Sequence, residues 1–300
     1  MVDHAADDDV GNIFVYTGGL APLHVTHVLI DESVEVIDEG AFDFCEHLVQ
    51  VETHDGIRAV ADMAFYNCKL LRRINIRSAV EIGEYAFYGC RNLADVEFGD
   101  KLEIIELGAF YECSSPKYLK LPSITTIETA AFWMCSALTD IEFSERLETI
   151  GGRAFRSCEC LQRIAIPLKR DLFEIDVDMF DMYTQFHGCD QLVKVDLVGG
   201  IHKTVSSLHM ESWRSEMEEE INRINQVLPD AQTRDKTGEI RQWIDTVLEK
   251  MDHFKAEHYR YVKEAITLLE LALWKTRLGE KEDSSKEGRT KKAKVDAVSA

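Results

Sequence analysis

Proline is scarce in this 300-residue chain, at 5, and glycine is modest, at 17. A collagen-like or Pro-rich disordered chain is thereby excluded. Basic residues are also short: 34 Lys and Arg stand against 54 Asp and Glu, a formal charge of −20. Phosphate binding needs an excess of Lys and Arg, so this balance argues against duplex nucleic acid as the main partner. It argues equally against docking on an anionic membrane surface. No run of 18 apolar residues occurs, so no transmembrane helix is expected. The acidic start, Met1 to Asp9, has no apolar core and does not fit a secretory signal. A cytoplasmic, non-secreted location follows as the expectation, with the eight cysteines as thiols in a reducing compartment. At 45% hydrophobic and 29% charged, the composition suits a soluble chain of one large or two ordinary domains.

Motifs that carry chemistry are missing as well. There is no P-loop, no Gly-x-Ser-x-Gly elbow, no His-Glu-x-x-His pair and no Gly-rich dinucleotide fingerprint after a strand. Cys158 and Cys160 form the one irregular cysteine pair, with no second ligand pair nearby in sequence. His253 and His258 are five apart, a poor fit to one helix face. No catalytic residue, cofactor or metal ligand is assigned, and the chain reads as a non-enzyme.

What the sequence has is repetition. Seven cysteines fall at 45, 68, 90, 113, 135, 158 and 189, at intervals of 23, 22, 23, 22, 23 and 31. Each has Phe three residues earlier: Phe42, Phe65, Phe87, Phe110, Phe132, Phe155 and Phe186. Ala precedes the first six of these, from Ala41 to Ala154, and Ile or Val lies five before them, from Ile37 to Ile150. Leu follows the cysteine by three in six of the seven units. Six and eight residues after each cysteine come pairs such as Ile74/Ile76 and Ile164/Ile166, the alternation of a strand with one buried face. The i, i+3, i+6 spacing of Ala-Phe-x-x-Cys-x-x-Leu predicts a short helical turn. A fixed period of this size means stacked units with a continuous core, in which Phe42, Cys45, Phe65, Cys68, Phe87, Cys90, Phe110, Cys113, Phe132, Cys135, Phe155, Cys158, Phe186 and Cys189 form interior columns.

This pattern resembles the BspA-type leucine-rich repeat over about residues 28–198. The resemblance implies an α/β repeat solenoid of about seven units and a role in protein–protein recognition. Departures are local. Pro116 replaces the Leu of the fourth unit, and Thr53 weakens the first strand. In the seventh unit Ile175 and Phe180 keep the early pattern and Phe186, Cys189 and Leu192 the late one, so a bulge or loop is expected near 181–186.

The expected organisation is a disordered acidic N-terminus over 1–9, an N-terminal cap over 10–34 and a solenoid over 35–200. An all-helical module over 205–279 and a disordered charged tail over 280–300 complete it. Three helices are expected in the module. Trp213 to Leu228 carry one apolar stripe before Pro229, Ile240 to Met251 a second, and Tyr259 to Trp274 a third. The stretch Leu268–Trp274 is apolar almost all round, which fits burial or a bound partner. Lys291, Lys292 and Lys294 in the tail are compatible with nuclear import.

Residues five and seven after each cysteine should point outward from the strands. They read Gln50/Glu52, Arg73/Asn75, Asp95/Glu97, Tyr118/Lys120, Asp140/Glu142, Arg163/Ala165 and Lys194/Asp196, expected as two columns on one sheet surface. The candidate partner-binding residues are Arg73, Asp95, Glu97, Tyr118, Lys120, Asp140, Glu142, Arg163 and Lys194. The function read from the sequence is a protein-interaction scaffold. A surface adhesion protein of the same repeat family, and an enzyme with its site in the helical module, are the rivals.

Overall fold

The structure, a computed structural model, describes residues 13–114, 116–174, 184–231 and 236–298, with side chains to 278. Expectations placed on 1–9, on Ile175 and Phe180, and on the side chains of Lys291, Lys292 and Lys294 lie outside the described residues.

Each unit contributes a short strand, a tight run of turns and a longer strand. The first units hold β1 (Phe14–Tyr16), β2 (His27–Ile30), β3 (Val36–Ile37), β4 (Gln50–Glu52), β5 (Ala59–Val60), β6 (Arg73–Ile76), β7 (Glu81–Ile82) and β8 (Asp95–Phe98). The later ones hold β9 (Ile104–Ile105), β10 (Tyr118–Lys120), β11 (Thr126–Ile127), β12 (Asp140–Glu142), β13 (Thr149–Ile150), β14 (Arg163–Ile166) and β15 (Lys194–Leu197). All pairing is parallel, as a coil that advances by one unit per turn requires. The two-residue strands form a second sheet, ordered β13-β11-β9-β7-β5-β3. It places Ile37, Val60, Ile82, Ile105, Ile127 and Ile150 inside.

The seven repeat phenylalanines and seven repeat cysteines are all buried. Rings from Phe42 to Phe186 stack at centroid distances of 5.0 to 5.6 Å with planes within 11°. That distance is close to the spacing of paired strands, so one ring per coil fills the core without a gap. Burial of each ring contributes about 1.5–3 kcal/mol. The cysteines have a specific partner. Cys68, Cys90, Cys113, Cys135, Cys158 and Cys189 each donate Sγ–H to the carbonyl of the repeat Phe one coil back, at 3.0 to 3.3 Å. A small, weak donor suits a position that is apolar on all sides except for that carbonyl.

The expected helical segment is not formed. Two residues per unit, five and one before the cysteine, hold left-handed backbone: Gly40 and Phe44, Met63 and Asn67, Tyr85 and Gly89, Gly108 and Glu112, Ala130 and Met134, Arg153 and Ser157, with φ between 53° and 70°. Such residues interrupt a right-handed helix. Backbone bonds run instead between coils: Phe42, Phe65, Phe87, Phe110 and Phe132 donate N–H to the Ala carbonyl of the next coil at 2.7 to 2.8 Å. Turns and a helix share the i, i+3 spacing, which is why the sequence pattern suggested the latter.

Beyond the solenoid the chain forms α1 (Ile201–Val205), α2 (Glu211–Val227), a single 3-10 turn at Leu228–Asp230 and α3 (Thr237–Val298). The expected second and third helices are one. The expectation of a tail from 280 is corrected by the same helix, which runs on to Val298. No proline occurs between Thr237 and Val298, and the sequence is rich in Glu, Lys, Leu and Ala, so nothing stops the helix. Its first third packs against α2 through Ile240, Trp243, Ile244, Val247 and Met251, while Met217, Ile221 and Ile224 of α2 are buried with them. These residues are continuous with the solenoid core, so the helices cover its last coil.

Candidate recognition face

The outward residues of β4 to β15 alternate with buried ones, as the pleat of a strand dictates. Val51, Ile74, Leu119, Ile141, Ile164 and Val195 point inward, whereas Gln50, Arg73, Asp95, Tyr118 and Lys194 are exposed. Ala165, expected outside, is buried.

The two columns do not lie on one sheet. The strand face is divided into a five-stranded sheet, β1-β2-β4-β6-β8, and a four-stranded sheet, β10-β12-β14-β15. No ladder joins β8 to β10 among the described residues. The second sheet and the Phe stack continue through this level, so the break is confined to the strand face. Pro116 accounts for it. In the other units the residue three after the cysteine is Leu, and its N–H donates to the cysteine carbonyl at 3.0 to 3.2 Å. Proline has no N–H, so the fourth unit leaves the strand row without that anchor. Gly99, directly after β8, lies so close to the preceding coil that a Cβ there would sit 1.8 Å from the Arg77 carbonyl oxygen.

A cleft of about 330 Å³ opens at the break, lined by Arg73, Ala94, Asp95, Val96, Glu97, Pro116, Tyr118 and Leu119. Charges around it are mostly spoken for. Glu97 binds Arg73 at 2.7 Å and Arg77 at 3.0 Å. The Arg73 hydrogen bond holds the Glu97 carboxyl below its usual range. Glu142 accepts from the Tyr118 hydroxyl at 3.2 Å and pairs with Lys120 at 3.2 Å. Asp196 pairs with Arg163 at 2.6 Å and with Lys194 at 3.4 Å. Asp95 and Asp140 have no ion pair or hydrogen-bond partner among the described residues. They occupy the same outward row as Tyr118, one on each side: Tyr118 is in register with Asp140 on β12, and Asp95 sits across the cleft on β8. The Tyr118 side chain is 52% exposed. Desolvation, and then the Glu142 carboxylate, raise its hydroxyl pKa, so the ring is neutral at ordinary pH. Of the nine residues expected on this face, four line the cleft: Arg73, Asp95, Glu97 and Tyr118.

On the turn side the structure shows a ribbon that sequence reasoning missed. Tyr66, Tyr88 and Tyr111 stack at 4.6 to 4.9 Å, Trp133 meets Tyr111 edge-on at 4.9 Å, and the Arg156 guanidinium lies 5.0 Å over the Trp133 ring. All four rings stand two residues before a repeat cysteine, a regularity that is visible in the spacing.

The chain matches the BspA type leucine-rich repeat region in six copies over residues 22–81 and 71–187, more than half its length. No curated protein matches it. A leucine-rich repeat protein of T. pallidum is 31% identical and shares 49% of this chain and 67% of its own, with a TM-score of 0.41. A leucine-rich repeat protein of Bacteroides ovatus is 22% identical over 58% of this chain and 61% of its own, with a TM-score of 0.40. A leucine-rich cell surface protein of Faecalibacterium prausnitzii is 24% identical over 59% of this chain and 60% of its own, with a TM-score of 0.29. The chain thus spans less than two thirds of the length of the last two. The repeat match, rather than these superpositions, decides the assignment: the chain belongs to the BspA-type leucine-rich repeat family.

Proposed function

We propose that this protein is a non-enzymatic recognition scaffold that binds a protein segment carrying Lys or Arg at the Tyr118 cleft. One observation carries the reading: an exposed aromatic ring stands between two carboxylates, Asp95 and Asp140, that form no ion pair or hydrogen bond among the described residues. A cation placed over the ring face gains from the ring quadrupole and from both carboxylates. Arg73 and Arg163, in register with these two carboxylates, form their ion pairs with other acids, Glu97 and Asp196. The rigid stack below fixes the spacing of the three groups, which limits the ordering cost of binding. The net charge of −20 draws a basic partner in from a distance.

Selection from a random peptide display library tests this. The expected result is enrichment of Lys- or Arg-containing peptides on the native protein, lost on Asp95→Asn/Asp140→Asn. Equal enrichment on that variant, or peptides without basic residues, would overturn the proposal.

A further inference from the structure

α3 leaves the body of the protein after Tyr261, whose ring still stacks on Trp213 of α2 at 6.3 Å. Every residue from Tyr259 to Leu278 is exposed. Twenty residues of helix span about 30 Å. This length is not polar: Leu268, Leu269, Leu273 and Trp274 are each more than 60% exposed. Of the two expectations for Leu268–Trp274, burial within the chain does not hold, and a bound partner is the one left open. Together with Tyr259, Ile266 and Leu271 these side chains expose apolar surface around much of the helix, an unusual amount for a soluble monomer.

The pattern within the patch is ordered. Tyr259, Val262, Ile266, Leu269 and Leu273 follow steps of 3, 4, 3 and 4 residues, the seam of a coiled coil. The flanks discriminate between arrangements. One residue after each of Val262 and Leu269 stand Lys263 and Glu270, and neither has an ion-pair partner among the described residues. The opposite flank carries Ala265 and Ala272. Two parallel copies would set Lys263 and Glu270 against the flank that holds the alanines, and neither charge would be matched. Two antiparallel copies centred between Ile266 and Leu269 would place Lys263 opposite Glu270 of the second copy, twice by symmetry. The alanine flanks would then face each other, where small side chains permit close approach.

We propose that α3 is a homodimerisation arm, and that a second copy of this chain covers residues 259–278 as an antiparallel coiled coil. A two-fold axis makes the patch self-complementary, as an isologous interface requires. The five seam residues Tyr259, Val262, Ile266, Leu269 and Leu273 are all exposed, so the whole seam is open to a second copy. Each dimer would carry one solenoid at either end of the paired arms. This inference does not depend on the role of the Tyr118 cleft.

Sedimentation of the full chain, with cross-linking, tests it. A dimer is expected at micromolar concentration, and Leu269→Glu should leave a monomer whose solenoid melts unchanged. Glu270→Lys should weaken association about tenfold, and Lys263→Glu/Glu270→Lys should restore it. In a Cys160→Ser background, mixing Val262→Cys with Leu273→Cys chains should give the oxidised cross-linked pair, and neither variant alone should. A wild-type chain that stays monomeric, whether free or bound to lipid vesicles, overturns the proposal. Efficient cross-linking of Val262→Cys with itself overturns the antiparallel arrangement.

Discussion

Asn225 closes the last strand of the solenoid with both ends of its side-chain amide. Its Oδ1 accepts from the Val195 N–H at 2.7 Å, and its Nδ2 donates to the Val195 carbonyl at 3.0 Å. An open strand edge is a template for further pairing, and an Asn on α2 occupies it here. Asn225→Ala leaves both backbone groups unpaired under the helix. We expect a loss of about 1–3 kcal/mol in unfolding free energy, read by denaturant titration. Asn225→Asp keeps the acceptor but loses the donor to the carbonyl, and should also destabilise. An unchanged midpoint for both variants would mean that apolar contacts alone hold α2 in place.

The thiols should separate into two classes. Burial pushes the Cys45 thiol up to about 11 and raises Cys68, Cys90, Cys113, Cys135 and Cys158 as well. Thiolate is the reactive form, and access to the ladder is closed. Cys160 lies outside the ladder and is half-buried. Alkylation of the native protein, followed by peptide mapping, should therefore modify Cys160 first and leave Cys90, Cys113 and Cys135 untouched. Fast labelling of the ladder would contradict the packing described above.

Stability should depend on pH through Glu106. Burial, then a hydrogen bond and charge repulsion from Glu81, raise its carboxyl to about 7 from an ordinary 4.5. The folded state therefore holds the proton more tightly than the unfolded chain does. Its stabilising contribution is complete below pH 4.5 and is lost as pH rises through about 7. Glu106→Gln should melt higher than the native protein at pH 8 and equally at pH 4, so that the melting profile flattens between these values. A shift that is the same at both would show that the effect is not one of titration.

Pro116 offers a test of the cleft. Pro116→Leu returns the N–H and side chain that six other units possess. It should rejoin the strand rows, raise stability by about 1 kcal/mol and weaken binding of a basic peptide. Higher stability with unchanged binding would separate the cleft from recognition.

Charge should set the kinetics. Asp95→Lys/Asp140→Lys is expected to slow association of a basic peptide and to reverse the sign of its salt dependence. Stopped-flow measurements at two ionic strengths would show this.

Much of this architecture is legible in the sequence, and the reasons are specific. Phe42, Cys45 and their counterparts recur at fixed intervals because each coil must present the same shape to the next. The second sheet is not legible: Ile37 and Val60 are single inward residues on two-residue strands, too short to show alternation. The turns around Phe44 and Asn67 read as helix because the left-handed backbone leaves no mark on residue spacing. Pro116 was recognisable as a departure, but its consequence depends on how two neighbouring strand rows meet. Tyr66, Tyr88, Tyr111 and Trp133 lay in plain view at a constant offset from the cysteines. Their spacing alone does not show that the rings of successive coils touch. Within the candidate site, the outward row was readable from alternation. Which of its charges are paired was not, because Arg73, Arg77 and Glu97 meet across coils that are distant in sequence.

The most direct test of the recognition proposal is the affinity of a display-selected Lys- or Arg-containing peptide for the native protein and for Tyr118→Ala, measured by titration alongside the melting temperature. Removal of the ring should weaken binding by roughly 1–3 kcal/mol and leave the melting temperature nearly unchanged, since Tyr118 is exposed and lies outside the core. Equal affinity of the two proteins for the peptide would contradict the account and reduce the strand face to a solvated surface.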